Sequence, residues 1–421
     1  ALVNTIINAG IDTAFTVPGE SFLAVLEALR SNQNRIRLVS VRQEGGGSLA
    51  AHGYAQVKRK PAAVFVSRGP GAANASIGLH AAHQDSIPMV MFLGQVRSHM
   101  KGRESFQEID PKTSFGSMSK AVLEPNSAQE MVTMARQAIE ISQSGRPGPV
   151  VVVMPRDFGE TKVDEDIETK PYERKQVLSD QKSLNELIDG LNKSVKPILL
   201  AGELARGENV RDLLVKLSDK LGAPVISAYR CQDVVENHHP CYAGHLEINP
   251  VEYQDKLFKE SDFIAVLGSR LDGITSREET LIKDDDKWAH IHPDSIVLQR
   301  FNSDISVQSD VVPLLTDIMD SIKQKDHKHS VWRSTAHNDY LKFSTAGSYP
   351  VNGSVDLSYI AETARELLPP KSIILTDGGS YARWIHRFFK FNAPLTQGGT
   401  ASGAMGGGAV SYTHLRAHET D

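Results

Sequence analysis

One carboxylate in the sequence occupies a place where a protein can move a proton. Glu44 follows an apolar stretch, residues 36–41, and precedes three consecutive glycines, Gly45–Gly47. Open α/β sheets bind ligands at the carboxyl ends of their parallel strands, and glycines let a ligand approach the backbone. Glu44 is therefore a candidate proton-transfer group. The alternative is that it caps the following helix and complements the helix dipole.

Two other turns between a predicted strand and a predicted helix could hold a small ligand. Residues 17–21 read VPGES, and a helix that begins there can receive an anion at its N-terminus. Residues 67–74 read SRGPGAAN, where Gly-Pro-Gly predicts a rigid loop for a flat ring and Asn74 could hydrogen-bond it. The glycine spacing is not that of a dinucleotide fingerprint. Gln107, in a later loop, is either a polar site group or a solvated residue.

A cluster of thiols and imidazoles between residues 231 and 245 raises the question of a metal site. Four such side chains could ligate zinc. The spacing matches no compact ligand pair, and side chains of adjacent histidines point apart, so free thiols and loop histidines are the expected interpretation. The residues concerned are Cys231, His238, His239, Cys241 and His245.

The bulk composition limits the possible partners. The chain has 421 residues, 40% of them apolar, and a net charge of −5 from 46 basic and 51 acidic residues. These values indicate neither a nucleic-acid nor a membrane partner, and no apolar run reaches transmembrane length. Two cysteines and no visible signal peptide predict a cytoplasmic protein without disulfides.

Apolar runs alternate with amphipathic helical patterns along the chain, which predicts parallel sheets with right-handed crossovers. We expect an α/β fold of three consecutive doubly wound parallel-sheet domains, with the third incomplete. The predicted strands are 14–17, 35–41, 62–67, 89–93, 150–154, 198–200, 225–227, 263–267, 288–291 and 372–376. The predicted boundaries are an N-terminal domain at 1–160, a linker at 161–180, a central domain at 181–320, a linker at 321–355, the start of a third domain at 356–410 and a non-native tail at 411–421.

Taken together and in this order, the motifs resemble the thiamine-diphosphate-dependent enzymes of the acetolactate synthase large-subunit type. That family has a pyrimidine-binding, a central and a diphosphate-binding domain, so the first domain here is expected to bind the pyrimidine. Its active sites lie between two subunits, which implies a homodimer or homotetramer. The matching segments are VPGES, RQEGGGSLAAHGYA, RGPGAAN, DSIPMVMFLGQV, FQEID, RPGPVVVVMPRD, LGSRLD, TDGGSYARW and GTASGAMG.

The resemblance assigns roles to single residues. Glu44 matches the glutamate that hydrogen-bonds a ring nitrogen of the aminopyrimidine, favouring the imino tautomer that removes the thiazolium proton. Gln107 matches a glutamine that faces the reacting carbon. The other implied cofactor contacts are Pro18, Pro70 and Asn74 at the pyrimidine, Gly379, Ser380 and Tyr381 at the diphosphate, Gly403 through its carbonyl, and Met405 as the wedge that keeps the cofactor bent.

The resemblance further implies thiamine diphosphate and Mg²⁺ as cofactors and a 2-keto acid as substrate, in a lyase or transferase reaction whose chemistry the cofactor carries. Ser380 replaces the usual glutamine, and residues 242–247, YAGHLE, replace the segment that helps hold FAD, which puts FAD in doubt. Residues 81–86, AAHQDS, lack an evident match to the active-site histidines of simple decarboxylases, which favours carboligation. The metal–diphosphate motif is absent after GAMG, so we expect the Mg²⁺ ligands beyond the chain and the 421-residue chain to be inactive.

Two other functions stay open from the sequence. One is a catalytically inactive regulatory subunit of the same fold. The other is a nucleotide-binding module in the central domain, where the strand ends at 200–202 and 267–269 suit an adenosine ligand.

Overall fold

The computed structural model describes residues 1–164 and 172–408, so the predicted tail and part of the first predicted linker lie outside the described residues. The chain divides into two compact units, each described here by itself. Of the described residues, unit 1 contains 1–164, 172–175, 375–378 and 398–408, and unit 2 contains 176–374 and 379–397.

Unit 1 is built on a six-stranded parallel sheet. Its strands are β1 (Thr13–Thr16), β2 (Arg37–Ser40), β3 (Ala62–Ser67), β4 (Met89–Gln95), β5 (Ala121–Leu123) and β6 (Pro149–Pro155). They lie in the order β2-β1-β3-β4-β6-β5, and every neighbouring pair is parallel. Since both faces of such a sheet are covered, its central strands carry continuous apolar runs.

Helices cover both faces of this sheet. They are α1 (Leu2–Asn8), α2 (Leu23–Ser31), α3 (Glu44–Lys58), α4 (Arg68–Gln84), α5 (Pro111–Phe115), α6 (Ala128–Gln143) and α7 (Arg156–Gly159). Phe65 packs with α1, α2 and α6 on one face, and its neighbour Val64 packs with α3 and α4 on the other. This alternation is what a doubly wound sheet requires.

Unit 2 contains a second six-stranded parallel sheet. Its strands are β7 (Pro197–Ala201), β8 (Val225–Ser227), β9 (Tyr242–His245), β10 (Phe263–Leu267), β11 (Trp288–His292) and β12 (Ile305–Gln308), in the order β12-β11-β10-β7-β8-β9. Its helices are α8 (Gln181–Lys193), α9 (Glu208–Leu221), α10 (Glu252–Glu260), α11 (Ser295–Leu298), α12 (Val311–Ile318), α13 (His327–Ser344), α14 (Leu357–Leu367) and α15 (Ala382–Phe388).

A small third sheet pairs β13 (Ile374–Thr376) with β14 (Gln397–Gly399). Together with the two parallel sheets, it confirms the predicted α/β fold class. Residues 356–408 do not form a compact unit of their own, because they are divided between units 1 and 2. None of the described helices is both long and apolar enough to cross a membrane.

The stretch predicted as a linker, residues 321–355, contains α13 in its middle. This stretch is mostly polar, but it contains apolar residues four positions apart, the spacing of one helix face, at Trp332, Ala336 and Tyr340. Ala336 and Tyr340 are buried, and the Trp332 indole donates to the Pro197 carbonyl at 3.0 Å. The sequence analysis also missed β5, β9 and β12, which are short strands with weak apolar signals.

Candidate active site

Glu44 begins α3, but it does not cap that helix. The cap is Gln43, whose side-chain oxygen accepts a hydrogen bond from the Gly46 amide at 3.0 Å. Glu44 lies in the first turn, where its charge complements the helix dipole. Its half-buried carboxylate is therefore not needed for capping and is available for another partner.

That partner is on the next helix. The Asn74 amide donates to Glu44 Oε2 at 2.9 Å, while Oε1 accepts no hydrogen bond from the described residues. A Cβ on Gly71 would lie 3.3 Å from Glu44 Oε1, and one on Gly45 would lie 2.9 Å from the Asn74 carbonyl. The glycines thus keep the space between α3 and α4 open around the carboxylate.

Gly69-Pro70-Gly71 is not the rigid loop that the sequence predicted, because α4 already begins at Arg68. Proline is well suited to a first helical turn, where its missing N–H has no intrahelical acceptor. Pro70 is exposed on this turn, and Pro18 is exposed on the turn that follows β1. The two turns are joined by the hydroxyls of Ser21 and Ser67, 2.8 Å apart.

Gln107 lies against the same turn of α4. Its carbonyl accepts a hydrogen bond from the Gly69 amide at 2.9 Å, and its φ of +63° is in the left-handed region. The side chain is exposed. The structure therefore places five predicted site residues at the carboxyl edge of the neighbouring strands β2, β1 and β3, namely Pro18, Glu44, Pro70, Asn74 and Gln107.

Gly403 and Met405 lie on a glycine-rich segment, residues 398–408, which belongs to unit 1 but contacts a part of it that is distant from Glu44. Gly403 is exposed with a φ of +71°, and the Met405 side chain is 76% exposed. The segment is bonded to Gln56 and Asp85, close to the C-terminal ends of α3 and α4. Gln56 lies about 18 Å along α3 from Glu44, and no described contact joins Gly403 or Met405 to Glu44.

Gly379, Ser380 and Tyr381 belong to unit 2, where they precede α15 and are exposed. Ser380 also lines a cleft of about 610 Å³ with Arg383, Trp384 and Arg387. This cleft was not predicted from the sequence. The pattern that could have indicated it is the alternation of aromatic and basic residues in 381–388, YARWIHRF, because helical spacing brings such residues to one side of α15.

The arginine on the inner side of this cleft is fixed by its aromatic neighbours. The Arg387 guanidinium lies 3.7 Å from the centre of the Phe343 ring and 4.9 Å from that of Tyr349, and its Nε donates to the Phe343 carbonyl at 2.8 Å. Burial lowers the pKa of Arg387, and Glu247 opposes that shift. Arg387 is therefore a positioned cation rather than a mobile surface residue.

The two cysteines are buried and unsuited to ligation. Burial raises the pKa of Cys241 to about 12, and it also raises the pKa of Cys231 well above the usual thiol range. Among residues 1–164 and 172–408, no group of three or more His, Cys, Asp or Glu side chains is placed to hold a metal ion.

The strand ends of unit 2 at residues 200–202 and 267–269 bond to each other. The Gly202 amide donates to the Leu267 carbonyl and the Leu204 amide to the Gly268 carbonyl, each at 2.9 Å. A Cβ on Gly202 would overlap Ser269. These backbone groups are therefore already paired.

Two family models match parts of the chain. Residues 1–114 match the family model described as the thiamine pyrophosphate enzyme N-terminal TPP binding domain, and residues 184–318 match that of the thiamine pyrophosphate enzyme central domain. Together these matches cover more than half of the chain. The chain belongs to the thiamine pyrophosphate enzyme family.

The relatives it resembles are acetolactate synthases. It is 26% identical to the acetolactate synthase large subunit of Lactococcus lactis, over 97% of this chain and 71% of that protein. It is 27% identical to the isozyme 1 large subunit of Escherichia coli, over 97% and 72%. It is 28% identical to the chloroplastic acetolactate synthase of Arabidopsis thaliana, over 97% and 62%.

Proposed function

We propose that this protein uses thiamine diphosphate to decarboxylate a 2-keto acid and to transfer the resulting acyl group, as a lyase or transferase. The observation that carries the proposal is the Glu44 carboxylate. It lies at the carboxyl edge of a parallel sheet, with one oxygen bonded to Asn74 and the other accepting nothing from the described residues. The family membership and the acetolactate synthase relatives support the same reaction class.

The residues present fit the pyrimidine end of this cofactor. Glu44 Oε1 can accept a hydrogen bond from a ring nitrogen, and the exposed rings of Pro18 and Pro70 offer apolar surface for a flat heterocycle. When bound, thiamine diphosphate supplies the stabilisation of negative charge that decarboxylation needs. The protein orients the ring, holds a proton near the Glu44 carboxylate and places the exposed Gln107 at the same edge of the sheet.

The diphosphate end belongs to the same proposal. Gly379, Ser380 and Tyr381 are exposed ahead of α15 and are the residues proposed to contact the diphosphate. A diphosphate is a concentrated anion, and such groups are bound with Mg²⁺ that keeps several waters and takes one or two carboxylates. Mg²⁺ is therefore proposed with the cofactor.

The test is substitution of the proton-transfer group. In the full-length protein, Glu44→Gln should slow deuterium exchange at the thiazolium carbon of bound cofactor by about 10²–10⁴-fold, the usual contribution of a positioned acid or base. The exchange is measured by quenched-flow NMR. Glu27→Gln is the matched control, because it removes an exposed carboxylate that pairs only with neighbouring groups of α2, Arg30 and Ser31.

Two outcomes would contradict the proposal. Exchange in Glu44→Gln at the wild-type rate would remove Glu44 from the chemistry. Wild-type protein that binds thiamine diphosphate without accelerating the exchange would instead favour the catalytically inactive subunit.

A further inference from the structure

We propose that His52 and Asp85, assisted by Gln56, are positioning residues that fix the backbone of residues 399–401 and thereby place Gly403. The link to the cofactor rests on the proposed function and on the role that the family resemblance implies for Gly403, whose carbonyl would accept a hydrogen bond from the pyrimidine. The anchoring itself rests only on contacts within unit 1.

The first contact is a buried pair on α3 and at the end of α4. His52 Nε2 lies 2.7 Å from Asp85 Oδ2, and the two side chains are only 2% and 5% exposed. The other carboxylate oxygen, Oδ1, accepts the Ala401 amide at 2.8 Å. Asp85 thus connects the histidine to the backbone of the glycine-rich segment.

The second contact is formed one turn further along α3. The Gln56 amide group donates to the Gly399 carbonyl, and its oxygen accepts the Gly399 amide, both at 3.2 Å. Ser48, His52 and Gln56 are four residues apart, so they lie on one face of α3. Ser48 is buried on that face as well, but its hydroxyl bonds to the Gly45 carbonyl of its own helix.

The burial of these groups indicates a positional role. Replacing both partners of a buried hydrogen bond by apolar groups of the same shape can be nearly neutral or stabilising, so such a pair is weak evidence for stability alone. Here the carboxylate and the Gln56 amide satisfy backbone groups at Gly399 and Ala401. A buried amide without a partner is costly. The side chains therefore fix where this segment runs.

Helix α3 therefore positions two groups of predicted site residues. Its first turn holds Glu44, and its C-terminal half holds the segment that carries Gly403 and Met405. A change that releases the anchor should move Gly403 while leaving the Glu44–Asn74 contact in place.

Hydrogen–deuterium exchange of peptides covering residues 397–408 tests the anchor in the whole protein without cofactor. Asp85→Ala should speed exchange at Ala401 about 10–100-fold, as loss of a charge-assisted hydrogen bond predicts. Asp85→Asn keeps an acceptor oxygen and should retain most of the protection. Gln56→Met should release Gly399 and provides an independent variant. Ser48→Ala is the control, since it removes a buried hydroxyl from the same face without touching the segment.

Unchanged exchange in both Asp85→Ala and Gln56→Met would overturn the proposal, as would equal acceleration in Ser48→Ala. Titration with thiamine diphosphate and Mg²⁺ then separates the two claims. Weaker cofactor binding in Asp85→Ala than in Asp85→Asn is expected, and equal affinity despite a released segment would refute the role in cofactor placement. If the wild type does not bind thiamine diphosphate, only the proposed function is contradicted. Hydrogen–deuterium exchange without cofactor still tests whether Asp85 and Gln56 hold residues 399–401 in place.

Discussion

At the residue scale, Glu44 differs from nearby carboxylates in how its oxygens are used. Glu27 forms two hydrogen bonds with Arg30 on its own helix, and Asp110 caps α5 by accepting the Lys112 and Thr113 amides. Among the described residues, the Glu44 carboxylate bonds only to a side-chain amide of another helix. Such an arrangement fixes the carboxylate while leaving an oxygen for a ligand.

Lys390 carries a prediction at the same scale. Its ammonium lies 4.5 Å from the centre of the Tyr340 ring and 2.9 Å from the Ser344 carbonyl. Burial lowers the pKa of Lys390 to about 7, with Arg387 adding to the shift and Glu362 opposing it. The unfolded chain keeps this proton up to about pH 10.4. Between these two pKa values the unfolded state binds more protons at Lys390 than the folded state does. The free energy of unfolding therefore rises with pH in this range.

The expected contribution is up to about 1.4 kcal/mol per pH unit in the free energy of unfolding. Urea unfolding of wild type and Lys390→Met between about pH 7 and 8.5 measures it as a difference, because the unfolded thiols, with a pKa of about 8.5, contribute equally to both proteins. Lys390→Met should flatten this slope. Lys342→Met, at an exposed lysine of α13, should keep it. Equal slopes in wild type and Lys390→Met would show that Lys390 does not titrate in this range.

At the scale of elements, the close approach of α3 and α4 forms the site. Gly78 of α4 packs directly on Ser48 of α3, where a Cβ would overlap both the backbone and the hydroxyl of the serine. Small residues at this contact let the two helices lie close together. The same approach brings Asn74 within hydrogen-bond distance of Glu44.

Gly78→Ala should therefore destabilise the protein by about 1–3 kcal/mol, the usual cost of overpacking, although alanine is the better helix former. It should also weaken cofactor binding, because the helices must separate near Glu44. Gly116→Ala is the matched control, since nothing lies within 4 Å of a Cβ there. Thermal unfolding of both variants measures the difference. A Gly78→Ala protein as stable as the Gly116→Ala protein would mean that the helix contact is loose.

At the scale of the whole molecule, the separation of Glu44 from the glycine-rich segment favours an active site shared between two chains. The segment is held near the C-terminal ends of α3 and α4, whereas Glu44 and Asn74 lie near their N-termini. We propose a homodimer or larger oligomer in which Glu44 of one subunit and Gly403 and Met405 of another act on one cofactor.

Mixing two inactive variants tests this shared site. In the full-length protein, Glu44→Gln and Met405→Asp should each be inactive alone, and after subunit exchange the mixture should recover about a quarter of wild-type activity, because half of the dimers are mixed and each has one intact site. Sedimentation should show a dimer or larger species at micromolar concentration. No recovery in a mixture proven to contain mixed dimers, or a fully active monomer, would contradict the shared site.

Local sequence patterns determined much of this protein. The apolar runs of β3 and β10 fall at the predicted residues, because strands covered on both faces are apolar throughout. The position of Glu44 at a strand end followed from the same patterns. The ordered set of short motifs pointed to the thiamine pyrophosphate enzyme family, which the comparisons then showed.

Tertiary structure decided the rest, because contacts between distant segments leave no local pattern. The bond between Asn74 and Glu44 and the anchoring of Ala401 by Asp85 depend on packing between elements that lie 30 and 316 residues apart in the chain. Helix α13 was not predicted, because its few apolar residues stabilise it only through contacts with β9 and α10. Gly-Pro-Gly became a helical turn rather than a loop because the chain beside it, at Gln107, accepts the Gly69 amide.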